Sequence, residues 1–163
     1  MKYADRIEQK ILTRPQLIQR VAQWRLLGKT IAFTNGVFDI LHPGHIYSLS
    51  QAAAEAEMLV VGLNADVSVK RLKGESRPVN VQDTRAIMMA SLQIVDAVVF
   101  FEEDTPLELI KSILPDVLVK GGDYTLEQVV GAKEVMTAGG RVVINPLKEG
   151  YSTTSFIEQL KNT

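Results

Sequence analysis

Ile31-Ala32-Phe33-Thr34-Asn35-Gly36-Val37-Phe38-Asp39-Ile40-Leu41-His42-Pro43-Gly44-His45 reads as a buried strand, a polar turn and the opening of a helix. The apolar Ile31-Ala32-Phe33 is the strand, and Ile46-Tyr47-Ser48-Leu49 with the alanine-rich residues after it is the helix. Pro43 suits a first helical turn, where a backbone N–H has no partner to lose. Gly44 carries no side chain and lets a ligand approach the backbone between the two histidines. His42 and His45, at i and i+3, share a helical face. The unpaired amides and the dipole of a helix start attract an anion. Two neutral imidazole donors at that point suit the stabilisation of charge on a phosphoryl group. Ordinary polar surface and a zinc site are the competing readings. With two histidines and no cysteine in the chain, zinc would need carboxylate ligands.

At 163 residues the chain has the length of one domain. A chain of this size buries about two-thirds of its unfolded surface, enough for one core without staples. The 46% hydrophobic and 23% charged content is that of an ordinary globular protein. With 18 basic against 19 acidic residues the formal net charge is −1, which offers no electrostatic pull on nucleic acid or an anionic membrane. The absence of cysteine excludes disulfides and thiolate chemistry. Met1 to Lys10 has no apolar signal core and no apolar run of about 18 residues occurs, so a soluble, cytoplasmic protein is expected.

Upstream of the first strand, residues 1–29 carry Leu17, Ile18, Val21 and Trp24 on one helical face, with Pro15 near its start. They predict a helical extension packed on a domain spanning 30–163. Met58 to Leu63 is an unbroken apolar run, as expected of a strand covered on both faces. Val67 to Lys73 is a short helix ending at Gly74. Asn80 with Asp83 reads as a capping pair for a helix carrying Ile87, Met88, Leu92 and Val95. Ala97 to Phe101 is the third strand, and Thr105-Pro106-Leu107-Glu108 opens a capped helix. Val117 to Lys120 is the fourth strand, followed by a Gly121-Gly122 turn and one helix through Val129, Val130, Val135 and Met136 that ends at Gly139-Gly140. Arg141 to Ile144 is the fifth, and a last helix capped by Ser152 or Thr153 carries Phe156, Ile157 and Leu160. Five short strands alternating with helices predict an α/β, Rossmann-like, doubly wound five-stranded parallel sheet in a single domain. In such a sheet ligands bind beyond the carboxyl ends of the strands, where strand order reverses.

Three further stretches fall at that edge. Lys148-Glu149-Gly150-Tyr151-Ser152-Thr153-Thr154-Ser155 opens the last helix, where free amides and hydroxyls make a second phosphate cradle. Lys70-Arg71-Leu72-Lys73-Gly74-Glu75-Ser76-Arg77 concentrates positive charge, and spacing leaves open whether Lys70 or Lys73 points inward. Lys120-Gly121-Gly122-Asp123-Tyr124 is a glycine turn after a strand, from which backbone and Asp123 can read a base or ribose.

The segment T-N-G-V-F-D-I-L-H-P-G-H resembles the signature of the nucleotidyltransferase superfamily marked by H-x-G-H. Gly150 to Thr154 resembles the R-x-G-[IY]-S-T-T element of its cytidylyltransferase-like branch, with Lys148 where many members have arginine. Lysine keeps the charge there and loses the bidentate geometry. Taken with G-L-N-A-D-V-S-V-K-R-L-K-G-E-S-R-P-V-N, E-D-T-P-L-E-L-I and P-D-V-L-V-K-G-G-D-Y, residues 10–162 resemble the D-glycero-β-D-manno-heptose 1-phosphate adenylyltransferases. Val37 departs from the cysteine common in that family, a small apolar change.

The resemblance implies that residues 30–163 form a nucleotidyltransferase domain passing AMP from ATP to heptose 1-phosphate, giving ADP-heptose, a lipopolysaccharide precursor, and pyrophosphate. It implies catalytic roles for His42, His45 and Lys73, with Thr34, Asn35, Gly36, Phe38, Gly121, Asp123, Lys148, Ser152, Thr153 and Thr154 at the nucleotide. Asp39, Lys70 and Arg77 are the polar groups left for the acceptor. Mg²⁺ would be bound mainly through ATP phosphates, with no metal ligand assigned in the protein. The activity in many relatives is half of a chain whose other half is a sugar kinase, which implies a functional link here to a separate heptose 7-phosphate kinase. The oligomeric state is open between monomer and homodimer. A cytidylyltransferase acting on a small alcohol phosphate such as glycerol 3-phosphate shares every phosphate motif, and a non-catalytic nucleotide-binding module shares the fold.

Overall fold

The strand predicted from the opening stretch lies at the middle of the sheet. β2 (Ile31–Gly36) pairs in parallel with β3 (Met58–Asn64) from Ile31↔Met58 to Gly36↔Leu63. Its other edge meets β5 (Val117–Gly121) through Ala32↔Val117 and Phe33↔Leu118. β4 (Ala97–Phe101) extends the sheet beyond β3, and β6 (Arg141–Asn145) extends it beyond β5. The computed structural model describes residues 5–122 and 124–146. Among these the sheet has six strands, with β1 (Ile11–Leu12) at one edge, in the order β1-β4-β3-β2-β5-β6, every pair parallel. The chain leaves β2 toward β3 on one side and returns to β5 on the other, so the strand order reverses between β2 and β5.

Period-two alternation sorts the strands' side chains into two cores, as a sheet covered on both faces requires. Ile31, Phe33, Val60, Val99 and Leu118 point to one face. There they meet α2 (Arg14–Leu26), α6 (Leu107–Ile113) and α7 (Ala132–Thr137) through Leu17, Val21, Trp24, Leu109, Ile110 and Val135. Ala32, Leu59, Val61, Leu63, Val98 and Val119 point to the other. That face is covered by α3 (Pro43–Ala53) and α5 (Gln82–Ala90) through Leu49, Ala52, Ala86, Met89 and Ala90. The α/β class and the doubly wound parallel sheet stand as predicted.

The sixth strand, β1 (Ile11–Leu12), pairs with β4 through Ile11↔Val98 and Leu12↔Val99. Two apolar residues make no periodic signal, so only the docking of this segment on an open edge defines the strand. A four-residue helix, α1 (Asp5–Glu8), precedes it. α2 starts at Thr13, whose hydroxyl accepts the Gln16 N–H while the Gln16 side chain accepts the Thr13 N–H. α4 (Asp66–Lys73) ends at Gly74, whose φ of +92° closes it.

Three local predictions shift. Val81, not Asn80, precedes α5, and Asn80 is drawn into a tertiary network described below. Pro106 takes the position before α6 with no side-chain cap, one residue later than Thr105. The single helix predicted through Val129 and Met136 is a 3₁₀ turn (Leu126–Gln128) and α7, divided at Gly131, whose φ is +85°. The last predicted helix lies outside the described residues. Among the described residues no helix is long and apolar enough to cross a membrane.

One glycine tunes the central pair. A Cβ on Gly62 would stand 2.8 Å from Cζ of Phe33, whose ring is fully buried. Gly62→Ala therefore overpacks the core and should lower stability by about 1–3 kcal/mol. The reading is a lower midpoint in urea unfolding; an unchanged midpoint would mean that the Phe33 ring yields without cost.

Candidate active site

The turn after β2 is folded back on itself. Phe38 adopts a φ of +47°, in the left-handed region that non-glycine residues rarely enter. Its ring lies over Gly36, where a Cβ would come within 2.9 Å of Cε2. The ring packs edge-on against His45, centroids 5.2 Å apart. His42 is the N-cap of α3, and its Nδ1 accepts the His45 backbone N–H at 3.3 Å. A neutral imidazole accepting at Nδ1 carries its proton on Nε2, so His42 is set as an Nε2–H donor. The two imidazoles stack at 3.7 Å with 18° between their planes.

Burial lowers the His42 pKa. Burial, followed by the charge of His42, pushes His45 down to about 4, with the Ile40 backbone working the other way. Both rings are therefore neutral donors or acceptors near pH 7. His45 Nδ1 is buried without a partner.

Two buried ionic clasps hold the loops around this pair. Asp39 Oδ2 accepts from Arg77 Nε at 3.0 Å and from the Val79 N–H at 2.9 Å, while Oδ1 accepts from the Asn80 N–H at 2.8 Å. The Asn80 amide also donates to the Asp39 carbonyl at 2.6 Å. Burial is the largest single influence on the Asp39 carboxyl and raises its pKa, but the Asn80 and Val79 amides and Arg77 together outweigh it and keep the group low. Arg85, fully buried, donates to the carbonyls of Val37, Asn64 and Asn80 and to Oδ1 of Asp66 at 2.7–3.0 Å. One guanidinium thus ties the turn after β2, the end of β3, the start of α4 and the entry to α5.

The carboxylate assigned to the acceptor in the sequence is thus engaged within the protein. Arg77 beside it keeps a buried Nη2 without a partner. Lys73, at the end of α4, lies close enough for its charge to act on His45, and its own pKa is lowered first by burial and then by Arg77. Lys70 instead faces Glu75 at 3.9 Å.

Beyond the ends of β2, β3 and β5 lies a cavity of about 460 Å³. Asn35, Gly36, Asn64 and Lys120 line it from the sheet, and Lys73 from the end of α4. Thr34 is buried in β2. Gly121 closes β5, and the Gly122 N–H donates to the Asn145 carbonyl of β6 at 3.0 Å. A larger cavity of about 600 Å³, lined by Arg6, Lys10, Ser91 and Asp96, opens at the amino ends of β1 and β4. That is the wrong end of a parallel sheet for a ligand site of this class. Asp123, Lys148, Ser152, Thr153 and Thr154 lie outside the described residues.

Sequence reasoning passed over Arg85 and gave the side chain of Lys120 no role. Arg85 left a trace: it sits on the same face of α5 as Ala86, Met89 and Ala90, where a charge has no place unless it is paired. Lys120 follows three apolar residues near the end of a strand at the point of strand reversal, another legible sign.

The profile of the cytidylyltransferase-like family matches residues 33–159. The bifunctional protein HldE of Acidiphilium cryptum is 52% identical over 162 residues, covering 99% of this chain and 33% of that protein. The bifunctional protein HldE of Caulobacter vibrioides is 54% identical over 155 residues, covering 95% and 32%. The chain thus spans about a third of the length of the curated relatives it matches. Among solved structures, a lipopolysaccharide core biosynthesis protein from Thermoplasma volcanium superposes with a TM-score of 0.60 at 26% identity, covering 77% of this chain and 100% of that one. A pantoate-beta-alanine ligase from Francisella tularensis reaches 0.61 at 16% identity, covering 85% and 67%, a likeness of fold alone.

Two measurements probe this architecture. Arg85→Met leaves three carbonyls and a carboxylate without their donor and should cost about 3–5 kcal/mol, the scale for breaking a buried pair. Wild-type stability in denaturant titration would mean that the loops hold without it. The second is a pH dependence. Unfolded His45 titrates near 6.5 and the folded residue near 4, so on acidification the unfolded chain takes up the proton first. Stability should be unaffected above pH 6.5 and fall between 6.5 and about 4. His45→Gln should flatten that part of the curve; equal slopes in both proteins would remove His45 as its source.

Proposed function

This chain belongs to the cytidylyltransferase-like family, and on that premise we propose that it is an adenylyltransferase transferring AMP from ATP to D-glycero-β-D-manno-heptose 1-phosphate. The observation that carries the chemistry is the stacked, neutral His42–His45 pair at the start of α3, just past β2. Neutral donors held rigidly there can stabilise charge moving onto the triphosphate without reorganising. The substrate assignment rests on the heptose-type motifs in the sequence and on relatives above 50% identity. The lipopolysaccharide role of the Thermoplasma volcanium protein fits ADP-heptose as a product.

In this reading an acceptor phosphate oxygen forms a bond to the α-phosphorus, and the bond to the bridging oxygen of the β-phosphate breaks, releasing pyrophosphate. A phosphate monoester is largely a dianion at pH 7, its second pKa being about 6, so no general base is required. The remaining task is to hold two anions together. His42 and His45 donate to the α- and β-phosphates, and Lys73 and Arg77 add positive charge at the junction. Asp39 orients Arg77 rather than meeting the acceptor alone, and Lys70 contributes charge from outside. Thr34, Asn35, Gly36, Phe38, Gly121 and Asp123 border the nucleotide, with Lys148, Ser152, Thr153 and Thr154 completing the phosphate cradle.

Among the described residues no three acidic or histidine side chains gather to hold a cation. Mg²⁺, a hard ion content with oxygen ligands, would be held mainly by the triphosphate and water and would supply charge neutralisation. ATP and a sugar phosphate as substrates make the cytoplasm the site of action. A functional link to a separate heptose 7-phosphate kinase belongs to the same reading.

The test offers purified protein ATP or CTP with heptose 1-phosphate or glycerol 3-phosphate and follows pyrophosphate. Release is expected with ATP and the heptose, and His42→Ala or His45→Ala should reduce it by about 10²–10³ while the fold persists. Efficient turnover of CTP with glycerol 3-phosphate would replace this assignment, and normal turnover in a folded histidine variant would remove that histidine's role.

A further inference from the structure

The cavity at the strand reversal contains a cation that the chemistry above leaves unused. Lys120 is the last residue but one of β5, with its side chain half-buried, and burial pushes its ammonium below the usual lysine range. Among the described residues no carboxylate pairs with it, and the Tyr124 ring lies 5.4 Å from its Nζ. Asp104, on the same cavity wall, is engaged by Arg71 at 2.8 Å. A partly desolvated ammonium is unfavourable unless a partner anion arrives, and the aromatic face offsets only part of the cost.

The position of the cavity says which anion. Leu118 and Val129 in its wall belong to the core under α2, α6 and α7. α3, which carries the histidine pair, packs on the opposite face through Leu49 and Ala52. The histidines and the cavity therefore flank the sheet's end from opposite faces. Lys73 is shared between them, since it lines the cavity and its charge acts on His45. A nucleotide whose phosphates lie over the start of α3 meets this cavity at its Asn35–Gly36 edge and leaves the wall of Lys120, Thr105 and Gln128 to the second substrate. Thr105 and Gln128 offer polar groups there, the Gln128 Oε1 already accepting from the Thr125 N–H at 2.9 Å while its amide nitrogen remains to donate.

We propose that Lys120 is a specificity-determining residue for the acceptor: its ammonium receives the acceptor's phosphate, while Tyr124, Thr105 and Gln128 receive the hydroxylated body. The proposal rests on the adenylyltransferase reading and names the subsite of its second substrate. The bonds made and broken are those given above, and Lys120 neutralises the oxygens of the acceptor phosphate that do not attack.

Calorimetry on the full chain tests it, with α,β-methylene ATP as a nucleotide that cannot transfer AMP. Lys120→Met should leave the affinity for the analogue unchanged. With the analogue bound, it should weaken heptose 1-phosphate binding by about 10–100-fold, the equivalent of one charge-assisted hydrogen bond. Lys120→Arg should retain part of that affinity. Removing a desolvated charge should not lower the melting temperature; if the methionine variant does not fold, Lys120→Gln serves the same comparison. Unchanged acceptor affinity overturns the proposal, as does a loss confined to the nucleotide. If the wild type binds glycerol 3-phosphate but not the heptose phosphate, the heptose assignment fails. Lys120 is then judged by whether the same variant loses glycerol 3-phosphate.

Discussion

Arg85 is the interaction on which the rest of the site depends. A guanidinium with no solvent exposure is tolerable only when its donors are met, and here three carbonyls and the Asp66 carboxylate meet them. Those acceptors come from four separate segments, so one charge sets the relative positions of the turn after β2, the end of β3, α4 and the entry to α5. Asn80 passes the constraint on, because its carbonyl accepts from Arg85 while its two nitrogens donate to Asp39. Asp39 in turn fixes Arg77. The chain Arg85–Asn80–Asp39–Arg77 links the floor of the site to its rim.

This arrangement also decides the site's electrostatics. The acids of these loops are consumed inside the protein: Asp39 by Arg77 and two amides, Asp66 by Arg85. Lys73 and Lys120 line the cavity, where Asp104 is already bound to Arg71. The balance of uncommitted groups is positive although the whole chain carries a formal charge of −1. A binding place for two anions can thus exist on a nearly neutral protein, because pairing rather than composition sets the local field.

The histidine pair gains its character the same way. Stacking at 3.7 Å makes double protonation unfavourable, and the α3 start fixes one ring by a backbone donor. Gly36 and the strained Phe38 press the ring of Phe38 against His45, which contributes to its burial. The result is a preorganised, uncharged donor surface rather than a pair of titrating bases.

Local sequence was sufficient for the parallel sheet, the α3 start at Pro43 and the approach of His42 and His45, because each rests on interactions a few residues apart. Apolar runs define strands that must be covered twice, and proline and glycine mark helix ends by backbone sterics. It was insufficient for β1, whose two residues become a strand only against β4. It likewise placed Asn80 as a helix cap, a reasonable local role that lost to stronger bonds with Asp39, some forty residues away in the chain. The choice between Lys70 and Lys73, the enclosure of Lys120 and the burial of Arg85 were tertiary decisions for the same reason. The free energy of a charge is set by the groups and solvent around it in space, and those neighbours are assembled only when distant segments meet.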